Sequence, residues 1–517
     1  MVWCCWAWRS FHARPARLPA RRSGGQINVV GSGIGHRLGP SESICRMRSF
    51  RMTCSRDAVE TAMGRIEDVD RLVNAVCTVN VAAPDQADVL DRELADGRRR
   101  SPLHGRCIVV KDNIDTADLL TTAGSLALAD HPPAADAPVV RRLREAGLVV
   151  VGKSNLSEWA NLRDSHSSSG WSAYGGLTRN PYALNRSAGG SSAGSGAAVA
   201  AGLVRLSLGS ETDGSITCPA AFNGCVGLKP TVGLVPGQGV VPISSSQDTV
   251  GPMTATVEES AALLSVLADG DVDYASHARQ GRLAGKRIGV PRRDYWGYSR
   301  DADQAAEHAL SLLSAEGAVI VDDTNLDSMQ GYGFDDELLV LLSELRVEMA
   351  AYLSTRPGDG PRSLTDLIEF NREHAGEEMP FFGQSFFEAA LESPGLDSEQ
   401  YAAARAACLR HGRDDGIDAV LTTHGLDALV TPSWTPAMSI DLVNSENHGG
   451  SCSQAAAMAG YPLLTVPSGL GHGLPVAITF WGTARSEPTL IEIGHGYESA
   501  RDRSDGPLPE PTYPAFV

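Results

Sequence analysis

No apolar run in this 517-residue chain reaches the ~18 residues that a membrane-spanning helix needs. The longest candidate, residues 197–204, is closed by Arg205, so no membrane partner is expected. Paired cysteines of the C-x-x-C kind are also missing. The ten Cys stand at 4, 5, 45, 54, 77, 107, 218, 225, 408 and 452, without a repeating spacing. The thirteen His form no H-E-x-x-H and none lies near paired Cys, so neither a disulfide framework nor a zinc site is implied. Reduced thiols in a cytoplasmic protein, with no metal and no cofactor, are the expectation. Basic residues are scarce once the first segment is set aside. Of 44 Lys+Arg and 62 Asp+Glu, ten Arg and one Glu fall in residues 1–56, leaving 34 bases against 61 acids. A body this acidic repels phosphate backbones, which argues against nucleic acid as a partner. What remains, 42% apolar and 21% charged, is the composition of a globular protein with an ample core.

Residues 1–55 are rich in Trp, Cys and Arg and follow neither a helical nor a strand period. They form an N-terminal extension, expected to be disordered or to be upstream sequence in a wrongly assigned frame, with Met47, Met52 and Met63 as alternative starts. An Arg-rich, acid-poor transit peptide is the competing account. Gly31-Ser32-Gly33-Ile34-Gly35 mimics a dinucleotide fingerprint, but His36 replaces the third spaced Gly and no helical pattern follows.

From residue 56 the patterning is regular, and residues 56–501 read as one domain. Residues 57–80 place Val59, Ala62, Met63, Ile66, Val69, Leu72 and Val73 on one helical face. Short strands are expected at 107–110, 148–151, 203–208, 428–430 and 476–481, alternating with helices such as 139–146. That alternation predicts an α/β fold, a single large domain whose mixed central sheet is covered by helices on both faces. The catalytic core is placed at about 104–255. Residues 256–425 read as a helical elaboration walling the site, and 502–517 as a loose Pro-rich tail. No internal repeat stands out.

Residues 147–154, GLVVVGKS, satisfy the phosphate-loop pattern G-x-x-x-x-G-K-[ST]. The four intervening residues, Leu148, Val149, Val150 and Val151, are stiff and strand-forming, whereas a phosphate nest needs permissive backbone. The reading as a P-loop NTPase is therefore disfavoured.

Three other passages carry the chemistry: 108-IVVKDNID, 187-SAGGSSAGSGAAVAAG and 208-LGSETDGSITCPAA. A Ser needs a base before it can attack a carbonyl, and a neutral Lys relayed through a second Ser can be that base. Lys111 follows three apolar residues and precedes Asp112 and Asn113, a setting that can bury it. Neutrality at pH 7 requires lowering its pKa from ~10.4 toward 7–8. The glycines around Ser191 give the backbone freedom to aim that side chain. Ser215 follows a turn, and the N–H groups of Thr212, Asp213, Gly214 and Ser215 can converge as an oxyanion hole. Taken singly, Lys111 reads as a solvated strand end, the 189–196 run as a linker and Ser215 as a helix cap.

Taken together, in this order and with Ser191 and Ser215 24 positions apart, the passages resemble the amidase signature family. The likeness spans about residues 57–500 and includes 152-GKSNLSEWANLR, 227-GLKPTVG, 246-SQDTVGPM and 456-AAMAGYPLLTVPSG. It implies a Ser–Ser–Lys triad of Lys111, Ser191 and Ser215, a cis peptide bond at Ser191, and supporting roles for Gly189, Gly190, Ser192 and Ser195. Asp248 is expected to hold loops together. Two departures are visible: Asp213-Gly214-Ser215-Ile216-Thr217 replaces the usual Gly-Gly-Ser-Ile-Arg, and Ala193 stands where Gly is common. The first departure, with 169-SGWSAYGG, 362-RSLTDLIEFN and 480-FWGTARSEPTLIE, is similar to the subgroup of bacterial peptide amidases. The resemblance implies hydrolysis of a carboxamide to carboxylate and ammonia through an acyl-enzyme, with a small-molecule or peptide amide as substrate. A glutamine-hydrolysing amidotransferase of the A type is the alternative within the family, and a catalytically silent scaffold the alternative outside it. Cys218 is the only thiol near the serines and has no neighbouring His.

Overall fold

The computed structural model describes residues 54–280, 282–447 and 449–517. The expectation for the N-terminal extension therefore lies outside the described residues, apart from Cys54 and Ser55. Helix Ser55–Val73 opens the described chain, with the Cys54 thiol accepting from the Asp57 N–H at 3.3 Å. It buries Val59, Ala62, Ile66 and Val73, while Leu72, expected on the same face, is exposed. The helical pattern read to residue 80 stops at Asn74, whose left-handed φ of 54° turns the chain. Residues 76–79 then form a strand, as suits Val-Cys-Thr-Val with its β-branched residues.

One eleven-stranded sheet organises the molecule. Its strands in chain order are β1 (Val76–Val79), β2 (Cys107–Lys111), β3 (Val149–Ser154), β4 (Leu206–Glu211), β5 (Val226–Lys229), β6 (Thr249–Thr254), β7 (Arg287–Val290), β8 (Val319–Asp322), β9 (Ala428–Pro432), β10 (Leu463–Gly471) and β11 (Leu474–Trp481). Across the sheet the order is β1-β3-β2-β4-β6-β5-β10-β11-β9-β7-β8. β2 runs parallel to both β3 and β4, and β9, β7 and β8 are mutually parallel. The pairs joining these two blocks are antiparallel, so the sheet is mixed.

Side-chain alternation shows that helices cover both faces. Ile108, Val110, Val430 and Phe480 pack on one face with Leu143, Leu264, Leu310 and Leu490. On the other, Val109 packs with Val59 and Ala197, and Leu429 and Trp481 pack with Phe222 and Ala456. Burial on both faces explains why the strands read as continuous apolar runs.

Two parts of the organisation differ from the sequence reading. The stretch 256–425 is mostly helical, yet it also supplies β7 and β8 to the same sheet. The Pro-rich tail is pinned at several points. Its Pro509 and Pro514 carbonyls accept from Tyr182 OH and Leu184 N, and Tyr513 N and OH donate to the Pro181 and Ala201 carbonyls. Proline lacks an N–H but keeps its acceptor, so such a tail can dock without forming regular structure.

Residues 149–154 of the phosphate-loop pattern are β3, and all six are buried. Lys153 points into the protein and donates to the Ile114 carbonyl at 2.7 Å, the Leu120 carbonyl at 3.2 Å and Thr121 Oγ1 at 2.7 Å. Its ammonium also lies 3.5 Å from the buried Asp112 carboxylate. Replacing Lys153 by Met should therefore leave Asp112 as an unpaired buried charge and cost roughly 3–5 kcal/mol of stability in urea unfolding. Magnesium–ATP should leave the melting temperature of the native protein unchanged.

Candidate active site

The carboxyl ends of the neighbouring strands β3, β2 and β4 come together at one end of the sheet, and the residues singled out in the sequence gather there. Lys111 is the last residue of β2 and has no exposed surface. Its Nζ donates to Ser191 Oγ at 2.7 Å, to Ser210 Oγ at 2.9 Å and to the Ser210 carbonyl at 3.1 Å. Asn113 Nδ2 also donates to Ser210 Oγ, at 2.9 Å. Loss of water pushes the Lys111 pKa down to about 7, although the nearby charges of Asp248 and Glu211 oppose that shift. A neutral amine in this position can accept a proton from the serine it touches.

Ser191 sits on the glycine-rich loop, and its peptide bond with Gly190 is cis. Gly189 has φ +68°, and a Cβ there would lie 3.1 Å from Cys218 Sγ, the Phe222 ring and Pro219 Cα. That packing and the positive φ explain the glycine at position 189. The Ser191 carbonyl accepts from Ser157 N at 3.0 Å, and Ser192 N donates to the Ser215 carbonyl at 3.1 Å. Ser192 Oγ donates to the Ser210 carbonyl at 3.1 Å. Ser195 Oγ donates to the Leu208 carbonyl and is 2.8 Å from Ser154 Oγ. Ser192 and Ser195 thus clamp the loop and the start of helix Ala193–Ala200 onto β3 and β4.

Ser215 lies in the turn between β4 and helix Thr217–Asn223. Ile216 holds the helix cap position, so the reading of Ser215 as a cap does not hold. Among the described residues the Ser215 hydroxyl makes no protein hydrogen bond, and none of the N–H groups of Thr212, Asp213, Gly214 and Ser215 donates to a protein acceptor. Four consecutive donors beside this serine are thus free to receive an acceptor oxygen. Gly214, at φ +80°, turns the chain there, and a Cβ would press on Trp434 at 2.9 Å.

Three carboxylates shape this turn. Glu211 Oε2 accepts from Ile216 N at 2.6 Å and Thr217 N at 2.9 Å, which places a negative charge at the start of the following helix. Asp248 accepts from Thr212 Oγ1 at 2.6 Å and from the N–H groups of Ile243 and Ser244 at 2.8 and 3.0 Å. Burial raises its pKa to about 7 against the effect of those donors. Asp213 has both oxygens buried, with the Ser453 hydroxyl beside them. Cys218 lies beneath Gly189, and burial pushes its thiol well above the ordinary range, away from thiolate chemistry.

Comparison with known proteins places this geometry. The sequence model described as Amidase matches residues 57–491. The chain belongs to the amidase family. A probable amidase of Arabidopsis thaliana is 35% identical over 469 residues, covering 86% of each chain. The A-type subunit of glutamyl-tRNA(Gln) amidotransferase from Geobacillus thermodenitrificans is 36% identical, covering 86% of this chain and 94% of that one. Among solved structures, the native peptide amidase of Stenotrophomonas maltophilia has a TM-score of 0.84 at 44% identity, covering 89% of this chain and 96% of that one. The protein is an amide-hydrolysing enzyme with the amidase signature fold, close to peptide amidases.

In this amidase Lys111, Ser191, Ser192, Ser195 and the 212–215 turn all lie at one end of the sheet. Asp248 holds the 243–244 loop to Thr212, as expected of it. Sequence reasoning named Asn113 only as part of the polar setting of Lys111, and it missed Ser210 and Glu211. Glu211 stands inside a recognised motif, and a carboxylate five residues before a helix start was the available signal. Truncation of Glu211 to Ala should orphan two buried N–H groups, cost roughly 2–4 kcal/mol of stability and lower amide turnover about 100-fold. Glu211→Gln, which keeps an acceptor oxygen, should recover most of the stability. Urea unfolding together with initial rates on one amide checks both.

Proposed function

We propose that this amidase cleaves carboxamides through Ser215, with Ser191 as proton relay and Lys111 as the base. The observation carrying the reading is the buried Lys111 amine, 2.7 Å from Ser191 Oγ, with burial holding its pKa near 7. Ser215 Oγ attacks the amide carbon and passes its proton to Ser191, whose own proton moves to Lys111. The carbonyl oxygen becomes an oxyanion and is received by the N–H groups of residues 212–215. Reversal of the relay protonates the nitrogen, the C–N bond breaks, and ammonia leaves. Water then attacks the acyl-enzyme by the same relay and releases the carboxylate.

The substrate class proposed is the C-terminally amidated peptide. Support comes from the 44% identity with the Stenotrophomonas maltophilia peptide amidase and from the Asp213-Gly214-Ser215 departure. A glutamine-hydrolysing role draws on the 36% identity with the Geobacillus thermodenitrificans amidotransferase chain. The solved amidotransferase chain of the same type from Thermotoga maritima, however, superposes with a TM-score of only 0.65.

Ammonia release from amidated dipeptides, simple amides and glutamine is the test. The wild type should release it from amidated peptides, and Ser215→Ala should neither do so nor label with a fluorophosphonate. Lys111→Ala should fold and lose roughly 10³-fold in turnover. Activity confined to small amides would reject the substrate, and full turnover by Lys111→Ala would reject the base. Because the base works only when neutral, kcat should rise with pH through about 7 and level off above it until a second group intervenes.

A further inference from the structure

Behind the oxyanion turn lies a buried polar cluster drawn from four separate parts of the chain. Asp213 comes from the turn, Glu337 from helix Asp335–Ser354, Gln247 from the loop that also carries Asp248, and Ser453 and Gln454 from the start of helix Gln454–Ala459. Glu337 is fully buried. Its two oxygens accept one amide hydrogen bond each, from Gln247 Nε2 at 2.9 Å and Gln454 Nε2 at 3.1 Å. The amides therefore orient Glu337 without neutralising it. Both Asp213 oxygens are buried with the Ser453 hydroxyl beside them, which favours the charged carboxylate, and Gln247 Oε1 is buried with no hydrogen-bond partner among the described residues. Ser453 Oγ in turn would stand 3.1 Å from a Cβ placed on Gly214, so the cluster abuts the N–H cradle directly.

We propose that Asp213 and Glu337 act as one carboxyl pair that retains a single proton behind the oxyanion turn, with Glu337 the positioning residue that keeps a second negative charge from the reacting carbonyl. Two like charges in a buried space cannot both form cheaply, so the pair ionises in two steps. Burial raises Asp213 to about 6 and it ionises first. Burial and then the Asp213 charge raise Glu337 to about 8, so the second proton stays on through neutral pH. Its loss adds a negative charge behind donors that must hold an oxyanion, which weakens them.

Other described groups also face the pair. Glu211 adds to the repulsion on Asp213, and Lys229 reduces it. Burial pushes Tyr295 upward, Cys452 to about 12 and Cys408, beside Glu337, to about 12, so all three stay uncharged. Lys229 sits near Glu211, Glu487 and Asp213, and burial lowers it to about 8. It loses its charge in the same range as Glu337, so substitution of Glu337, rather than the limb itself, makes the assignment.

The inference rests on the Ser215 reading above, and one pH series separates the two. In the wild type, kcat should rise through about pH 7 and then fall roughly tenfold between about pH 8 and pH 10. Glu337→Gln should keep the rise and lose the fall, with folding followed by circular dichroism at each pH. The infrared absorbance of buried protonated carboxyls at neutral pH should fall by one group in the same variant, while that of Asp248 and Glu498 remains. Should that variant fail to fold, Asp213→Asn should move the fall to lower pH, since Glu337 then ionises without a charged neighbour. A wild type without the fall, or a fall with unchanged midpoint in either variant, overturns the carboxyl pair. Loss of the rise, or activity surviving in Ser215→Ala, overturns the reading of the triad instead.

Discussion

A lysine amine enclosed at the end of a central strand is the constraint around which this amidase is arranged. Holding the Lys111 pKa near 7 instead of 10.5 means that the fold disfavours its charged form by on the order of 5 kcal/mol. Only a continuous shell can do that. β2 sits between β3 and β4, so its end is shielded on both sides, and Ser191, Ser210 and Asn113 close the remaining directions with hydroxyl and amide groups rather than charges. A second buried lysine shows the contrast. Lys153 lies one strand away with a carboxylate 3.5 Å from its ammonium, and it serves the fold instead of the chemistry.

Negative charge is managed with the same care. Glu211 and Asp248 both raise the Lys111 pKa by their proximity, yet each is needed to hold the 212–215 turn. The fold limits the damage by tying these carboxylates to backbone N–H groups and to Thr212. Their charge is then directed into helix starts and loops rather than toward the amine. Asp213 has no such ties among the described residues, only the Ser453 hydroxyl beside it. Asp213 brings a carboxyl group into the turn directly before Gly214 and Ser215, and the surroundings must answer for it.

How far the sequence discloses this depends on the range of each interaction. Lys111, Ser191 and Ser215 belong to local motifs, and the strand ends and turns that carry them follow from short apolar runs and glycines. The false phosphate loop was recognisable because Val149, Val150 and Val151 favour a strand. β7 and β8 escaped because each is four residues long and lies between helices, and the register of β7 is set by β9, more than a hundred residues later. Glu337 was invisible for the same reason: its amide partners lie 90 and 117 positions away. Nothing in the acidic start of helix 335–354 distinguishes it in sequence from the exposed Asp335 two positions before.

These ranges also divide the labour in the molecule. The three parallel strands β3, β2 and β4 end together, as open α/β sheets generally bring their functional loops to the carboxyl ends of parallel strands. That end gathers Lys111, Ser191 and Ser215 by local geometry. Glu337, Ser453 and Gln454 come from the helical stretch and from the segment leading into β10, and reach this region only through tertiary packing. Substitutions in the first set should change the chemistry outright. Those in the second can shift its pH range while the strands and the serines stay where they are. An amidase built this way can keep one mechanism and adapt its working conditions from a distance.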